Sequence, residues 1–295
     1  MAVNNLQFRT EFSDKLDKAV VQGAVTGFMK DNDMGAKFIR ADTVMVPELT
    51  MTGLSDYDRD NGFTRSPVTV THTPHKLEMD RAKSFQIDSV DATDTGIPNI
   101  AGTVAAEVVR TQSVPEVDAY VLSKLATHAT TAAQLVTGTP DTDVLKMFNE
   151  AMVNIYDALS FEQNLVCFVD PTVWAALMNT TSISRQITVS DFKKGEVNLK
   201  VKSLNDVAIL PVTSKRMHTA FTFGADGFTP AGDAKKIGML MLPKSACQLI
   251  NKHEITRIFE PDRNQNADAW KIDYRIHYDA LIGNTYKGGI FAYTY

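Results

Sequence analysis

Three aspartates at alternate positions, Asp56, Asp58 and Asp60, followed by Gly62, come nearest in type and spacing to a chemical site in this chain. Alternating carboxylates before a turn glycine open a calcium-binding loop, which surrounds a hard cation with about six to eight oxygens. Here the glycine falls one place late, and the twelfth position is Pro67 where the loop requires a bidentate glutamate. The stretch therefore reads as a solvated turn whose carboxylates are partly neutralised by Arg59. His72 and His75 offer two imidazoles, with Glu78 and Asp80 close in sequence, but this spacing does not complete the ligand set of a metal site. His253 and Glu254 are neighbours on a strand pattern that would point them to opposite faces, which argues against their acting together on one substrate. The two cysteines, Cys167 and Cys247, lie far apart among apolar residues, the setting of buried small hydrophobes rather than of a disulfide or metal ligands. A glycine-rich phosphate loop, a Gly-x-Ser-x-Gly elbow, His-Glu-x-x-His and Cys-x-x-Cys are all missing. No catalytic, cofactor-binding or metal-binding residue is assigned, and no cofactor is expected.

The elements that carry these residues fall into groups. Residues 10–28 place Phe12, Leu16, Val20 and Ala24 on one helical face, the pattern of an N-terminal helix. Residues 37–90 alternate short β-favouring runs around a polar stretch at 53–62, which predicts a long β-hairpin with a mobile tip. Such a hairpin has too few apolar residues for a core of its own, so it is expected to lie on something else. Helices are predicted at about 100–111 and 114–135. The second begins at a capping-box pattern, Ser113 and Glu116, with Pro115 in its first turn and Val117, Tyr120, Val121 and Leu125 on its buried face. A third helix runs from about Pro140 to Leu159 on a stripe of Val144, Phe148, Ala151, Ile155 and Leu159, and a shorter one starts at Asp170-Pro171. Strands follow at 197–201, 207–212, 221–223, 237–242 and 255–259. The clearest is 270–278, where Trp270, Ile272, Tyr274, Ile276 and Tyr278 alternate with Lys271, Asp273, Arg275 and His277. Residues 288–293, which begin Gly288-Gly289, are apolar enough to predict a last core strand. Helices and strands in separate blocks predict an α+β fold.

The bulk composition agrees with a folded protein of about two domains: 295 residues, 44% hydrophobic and 22% charged. The longest apolar runs, such as Ile237 to Leu242, are far shorter than the roughly 18–20 residues of a membrane-spanning helix, so no membrane partner is expected. Met1-Ala2-Val3-Asn4-Asn5 lacks the pattern of a secretory signal, which predicts a protein made and kept in a cytoplasm. With a net charge of −5 and no basic run, tight nucleic-acid binding is not expected.

Several stretches together resemble the major capsid proteins of tailed bacteriophages. Leu77 to Asp91 is similar to the strand that returns from that family's extended loop. Val114 to Leu125 is similar to the start of its long spine helix. Leu204 to Val212, Ile258 to Pro261 and Tyr274 to Leu281 also fit, in the family's order across nearly the whole chain. The resemblance implies an N-terminal arm (1–36), an extended hairpin loop (37–90) and a peripheral domain with the spine helix (91–138). An axial domain (139–250) and return strands completing both (251–295) follow.

By the same resemblance the chain is a structural homo-oligomer. Its pentamers and hexamers would close an icosahedral head around double-stranded DNA, which they contact weakly and without specificity. A separate scaffolding protein is expected, because the chain starts almost at once with the arm. A portal and a maturation protease or head-completion proteins would be further partners, and the protein would reside in the virion after assembly in the bacterial cytoplasm. Some relatives join subunits through lysine–asparagine bonds; no motif supports this here, although Lys76 and Asn284 are candidates, and non-covalent joining is expected. Asp56, Asp58, Arg59, Asp60 and Gly62 at the hairpin tip are expected to contact another subunit. Arg275 is a second candidate, for an inter-element or inter-subunit ion pair, and equally fits a plain surface role. Two other readings stay open: the shell of a bacterial nanocompartment, and a cytoplasmic α+β enzyme with an unrecognised site in residues 140–250.

Overall fold

Alternating polar and β-branched residues draw two stretches of the chain into a ribbon. In the computed structural model β1 (Lys37–Phe38), β2 (Thr43–Thr50) and β3 (Thr69–Lys76) form an antiparallel sheet in the order β1-β2-β3, with Thr43 opposite Lys76 and Thr50 opposite Thr69. The structure describes residues 24–39, 42–60, 62–63, 65–94, 100–139, 144–159, 164–179, 188–194 and 197–295. It divides into a smaller unit, Asp33–Glu78, which holds this sheet, and a larger one, Met1–Asn32 with Met79–Tyr295. Among the described residues of the smaller unit only Val44 and Leu77 are buried, and every residue of β3 but His75 is exposed.

The larger unit continues with β4 (Met79–Asp88), α1 (Ser89–Asp94), α2 (Ile100–Val108), α3 (Val114–Thr131), β5 (Leu135–Thr137), α4 (Val144–Leu159), β6 (Leu165–Val169) and α5 (Pro171–Asn179). Then come β7 (Thr188–Lys194), β8 (Val197–Leu204), β9 (Val207–Pro211), β10 (Phe221–Gly224), β11 (Gly227–Pro230), β12 (Ile237–Pro243), β13 (Cys247–Phe259), β14 (Ala269–Ile282) and β15 (Phe291–Thr294). β4 pairs with β14 rather than with the ribbon before it, so residues 79–88 belong to a three-stranded sheet, β13-β14-β4. The other large sheet has seven strands in the order β5-β15-β12-β6-β9-β8-β7.

Side-chain alternation makes the seven-stranded sheet a divider between two cores. Val166, Phe168, Leu240 and Leu242 point into one core together with Leu122, Leu125 and Ala129 of α3. Leu165, Cys167, Val169, Met239 and Met241 point into the other, against Phe148 and Ile155 of α4 and Val173 and Leu177 of α5. The predicted stripe of α4 is buried at all five positions. β6, buried at every residue, was not expected: a strand covered on both faces shows no alternation.

Two expectations about helices are corrected. The capping box at Ser113 and Glu116 does not form, and α2 and α3 are one continuous run joined by a π-helical turn, Val109–Ser113. Ser113 makes no capping bond; its hydroxyl meets Tyr274 Oη at 2.8 Å, and Glu116 binds Arg81. Pro115 lacks an N–H, and the widened π turn before it lets the helix continue past that missing donor. The predicted N-terminal helix at 10–28 lies mostly outside the described residues, and its last part is a 3-10 turn, Gly27–Asp31.

Local chemistry fixes the turns. Leu204 and Val207 pair across Asn205 and Asp206, both with positive φ (49° and 63°), the two-residue turn whose twist suits a hairpin. α3 ends in a Schellman motif, with Gln134 N–H donating to Ala129 O at 2.9 Å and Ala133 N–H to Thr130 O at 3.1 Å. Gly238, inside β12, leaves no room for a side chain: a Cβ there would lie 2.8 Å from Tyr293 and 2.9 Å from Val173. Gly238→Ala is expected to cost about 1–3 kcal/mol through overpacking, read as a lower urea midpoint with unchanged slope.

Candidate assembly surfaces

The ribbon of the smaller unit ends in the sequence flagged first. Asp58 closes the tip: its Oδ1 accepts the Asp60 N–H at 2.9 Å and its carbonyl accepts the Gly62 N–H at 2.8 Å, with Gly62 at φ 77°. This is an aspartate-stabilised turn of the kind the sequence suggested. Asp56, Arg59 and Asp60 are exposed around it. Among the described residues no group of three or more His, Cys, Asp or Glu could hold a metal ion. His72 and His75 are three residues apart on β3 and so face opposite sides.

Large apolar side chains sit beside these carboxylates. Leu54 and Phe63 are almost wholly exposed (107% and 86%), and Leu49, Met51, Tyr57, Val68 and Val70 are each more than half exposed. Tyr57 and Phe63 meet edge to face at 5.1 Å across the turn. Contiguous exposed apolar surface beyond a few hundred Å² is uncommon on monomers and marks sites of association.

In the larger unit the polar side chains mostly lock elements together. Asp118, fully buried on α3, accepts the Val25 and Thr26 N–H groups at 3.0 Å each, the Thr26 hydroxyl at 2.7 Å and Arg216 Nη1 at 2.8 Å. Asp279, also fully buried, accepts Lys124 Nζ at 2.5 Å and the Tyr120 hydroxyl at 2.8 Å. Arg81 on β4 donates to Glu116 at 2.6 and 3.3 Å and to Gly224 O at 2.8 Å. None of these three anchors was singled out in the sequence. The only signal was a carboxylate interrupting an apolar stretch, at Val117-Asp118-Ala119 and at Tyr278-Asp279-Ala280.

Arg275 is exposed on the outward face of the β13-β14-β4 sheet and grips Asp80 with two bonds, at 2.9 and 2.6 Å. The hydrogen bonds from Arg275, then its charge, hold the Asp80 carboxyl below its ordinary range, with smaller help from His277 and His253. Three cross-strand rows build this face: His253–His277–Asp80, Ile255–Arg275–Ala82 and Arg257–Asp273–Ser84. A shallow groove of about 320 Å³ crosses it, lined among others by Ser84, His253, Ile255 and Arg257. Asp273 is occupied by the Ser84 hydroxyl at 2.6 Å and by Lys271 at 3.4 Å. Arg257 is exposed and forms no ion pair among the described residues.

A cleft of about 570 Å³ opens between α2–α3, the inner side of β4 and β14, and the β10–β11 turn, with Phe85, Val104, Val108, Val117, Ile276 and Tyr278 in its walls. Its two glutamates, Glu107 and Glu116, are each bound by an arginine, Arg110 and Arg81. Tyr278 Oη has no hydrogen-bond partner among the described residues, and burial pushes its phenol well up. Both cysteines are buried and free; burial raises the Cys167 thiol far above its ordinary value and Cys247 to about 12, which leaves both unreactive.

Two histidines give the fold an acid limit. Burial, assisted by Lys287, lowers the His128 pKa. Burial and Lys236 lower that of His218 against an opposing pull from Asp170. Neither His128 Nε2 nor His218 Nδ1 has a partner among the described residues. The unfolded chain thus binds protons more readily than the folded one. Their contribution is complete above the unfolded value of about 6.5 and is lost as the pH falls through the depressed folded values. Urea unfolding at about pH 7.5 and 5.5 is expected to show the subunit weaker at the acid end. The double replacement His128→Gln, His218→Asn is expected to flatten that slope, and an unchanged slope would assign it to other groups.

No protein-family description matches the chain, and no curated protein matches it. Its fold is nevertheless shared with many solved structures. One from Microbacterium phage Oxtober96 has a TM-score of 0.59 at 15% identity, over 88% of this chain and 88% of that one. The mature capsid of bacteriophage PhiM1 has a TM-score of 0.57 at 12% identity, over 86% and 82%. A virus-like particle from Pyrococcus furiosus has a TM-score of 0.53 at 8% identity, over 97% and 99%. The class that these likenesses define is an α+β fold of shell particles. More particularly, the chain has the fold of phage capsid proteins, the one its segments resemble in sequence.

Proposed function

We propose that this chain is the major capsid protein of a tailed bacteriophage, a structural subunit rather than an enzyme. Identical copies would associate into pentamers and hexamers and then into an icosahedral head enclosing double-stranded DNA. The observation that carries this reading beyond the fold is the smaller unit: an antiparallel ribbon with two buried apolar residues among those described, and a tip crowded with exposed ones. A ribbon without a core is marginal in water and gains stability by lying on another surface. Copies joined through different surfaces form rings, and rings with curvature form shells. Net negative charge suits a wall that contains DNA without gripping it. No helix among the described residues is long and apolar enough to cross a membrane. Residence in the virion, assembly in the host cytoplasm, and a separate scaffold, portal and maturation or head-completion proteins complete the reading.

Sedimentation of the concentrated full-length protein tests it. Species of five or six copies of the 32.5 kDa chain, or larger, support a shell subunit. A persistent dimer or tetramer supports a small oligomeric enzyme. A shell around protein cargo is the second reading, favoured by the likeness to the Pyrococcus furiosus virus-like particle over nearly all of both chains. A defined enzyme copurifying inside particles would select it over the DNA container.

A further inference from the structure

We infer that the cleft of about 570 Å³ beside α2–α3 is a binding site for a small uncharged molecule that joins an apolar, ring-sized body to a hydrogen-bonding group. The site lies within the larger unit and does not depend on shell assembly. Its volume falls in the range of roughly 300–1,000 Å³ usual for small-molecule pockets. Phe85, Val104 and Val108 line it and are only half-buried, so the chain's own packing leaves part of each uncovered. Removing that apolar surface from water favours a ligand with an apolar body. The mouth is shaped in advance: Arg81 joins Glu116 to Gly224 O, and Lys83 Nζ donates to Ala225 O at 2.9 Å, which holds the β10–β11 turn against β4 and α3. A preformed site loses less entropy on binding. The π-helical turn Val109–Ser113 adds Thr111, Gln112 and Ser113 to the lining, and such turns recur at functional sites.

Charge and one unsatisfied hydroxyl select the ligand class. Arg81 and Lys83 in the lining, with Arg110 bound to Glu107, balance Glu107, Glu116 and Asp226, three of each sign. A charged ligand would give up its hydration there without a surplus counter-charge, whereas an uncharged one loses little. Tyr278 supplies the polar contact: its side chain is in the wall, it is 1% exposed, and its hydroxyl has no partner among the described residues. A ligand group that bonds to it satisfies a buried polar atom.

Fluorescence titration of the unassembled full-length subunit tests this with two dyes of the same ring system, uncharged N-phenylnaphthylamine and its anionic relative anilinonaphthalene sulfonate. The uncharged dye is expected to saturate at one per chain and to bind at least about tenfold more tightly than the anionic one. Val104→Trp, which fills the cleft, is expected to weaken it by at least about tenfold with the circular dichroism spectrum unchanged. Should tryptophan at 104 disturb α2, Val108→Gln makes the same wall polar and is expected to weaken the dye by at least about threefold. Tyr278→Phe is expected to weaken it by about three- to tenfold, the loss of one hydrogen bond. No saturable binding, tighter binding of the anionic dye, or binding that neither wall variant weakens would overturn the inference. An unchanged affinity in Tyr278→Phe would overturn the part given to its hydroxyl.

Discussion

Asp118→Ala is expected to lower the unfolding free energy of the soluble subunit by about 3–5 kcal/mol, the cost of leaving a buried, hydrogen-bonded charge without its partner. Asp118 is fully buried and satisfies two backbone N–H groups, one hydroxyl and the Arg216 guanidinium, whose side chain is 20% exposed. Alanine strands all four donors at once in a site with little water. The segment it holds, Val25 and Thr26, leads into the turn that buries Phe28 and Met29 and into Asn32, which donates to Lys244 O and Cys247 O at 2.7 and 2.6 Å. The loss therefore spreads from the side chain to the seating of the whole Gly27–Asp31 turn. Asp118→Asn keeps the shape and one acceptor and is expected to cost less. Urea unfolding followed by circular dichroism measures both; a loss under about 1 kcal/mol for alanine would mean that Arg216 and Thr26 find other partners.

The second large effect is on assembly rather than folding. Removing residues 56–62 is expected to leave the subunit's unfolding free energy within about 0.5 kcal/mol of the parent, because surface changes away from cores and caps are usually that small. The same deletion is expected to reduce assembled particles by more than tenfold. Among the described residues the tip contributes no buried side chain to its own unit, and the buried ones there, Val44 and Leu77, lie at the far end of the ribbon. A deleted chain that loses its circular dichroism signal would show that the tip serves the subunit's own fold. One that assembles normally would remove the tip from the contact surface.

Periodicity made much of the fold legible. α4 and β14 were read residue by residue because each has one wet and one dry face, which writes a period of four or of two into the sequence. β6 carried no such mark, being buried on both faces between β12 and β9. Ser113 and Glu116 have the spacing of a helix start, yet Tyr274 and Arg81, far away in sequence, claim their side chains, so a local rule gave way to tertiary contacts. Asp118 and Asp279 were hidden for the same reason, since their partners come from segments between 92 and 159 residues away. The tip was legible as a turn from Asp58, Asp60 and Gly62. The pairing of Arg275 with Asp80 required the register of β4 against β14, which no local pattern supplies.

The most direct test of the central claim is the mass and form of the concentrated protein, by light scattering with negative-stain microscopy of the same sample, alone and co-expressed with a candidate scaffolding protein. The shell reading predicts closed particles, or rings of five and six copies that close when the scaffold is present. A stable dimer or tetramer under both conditions would contradict it.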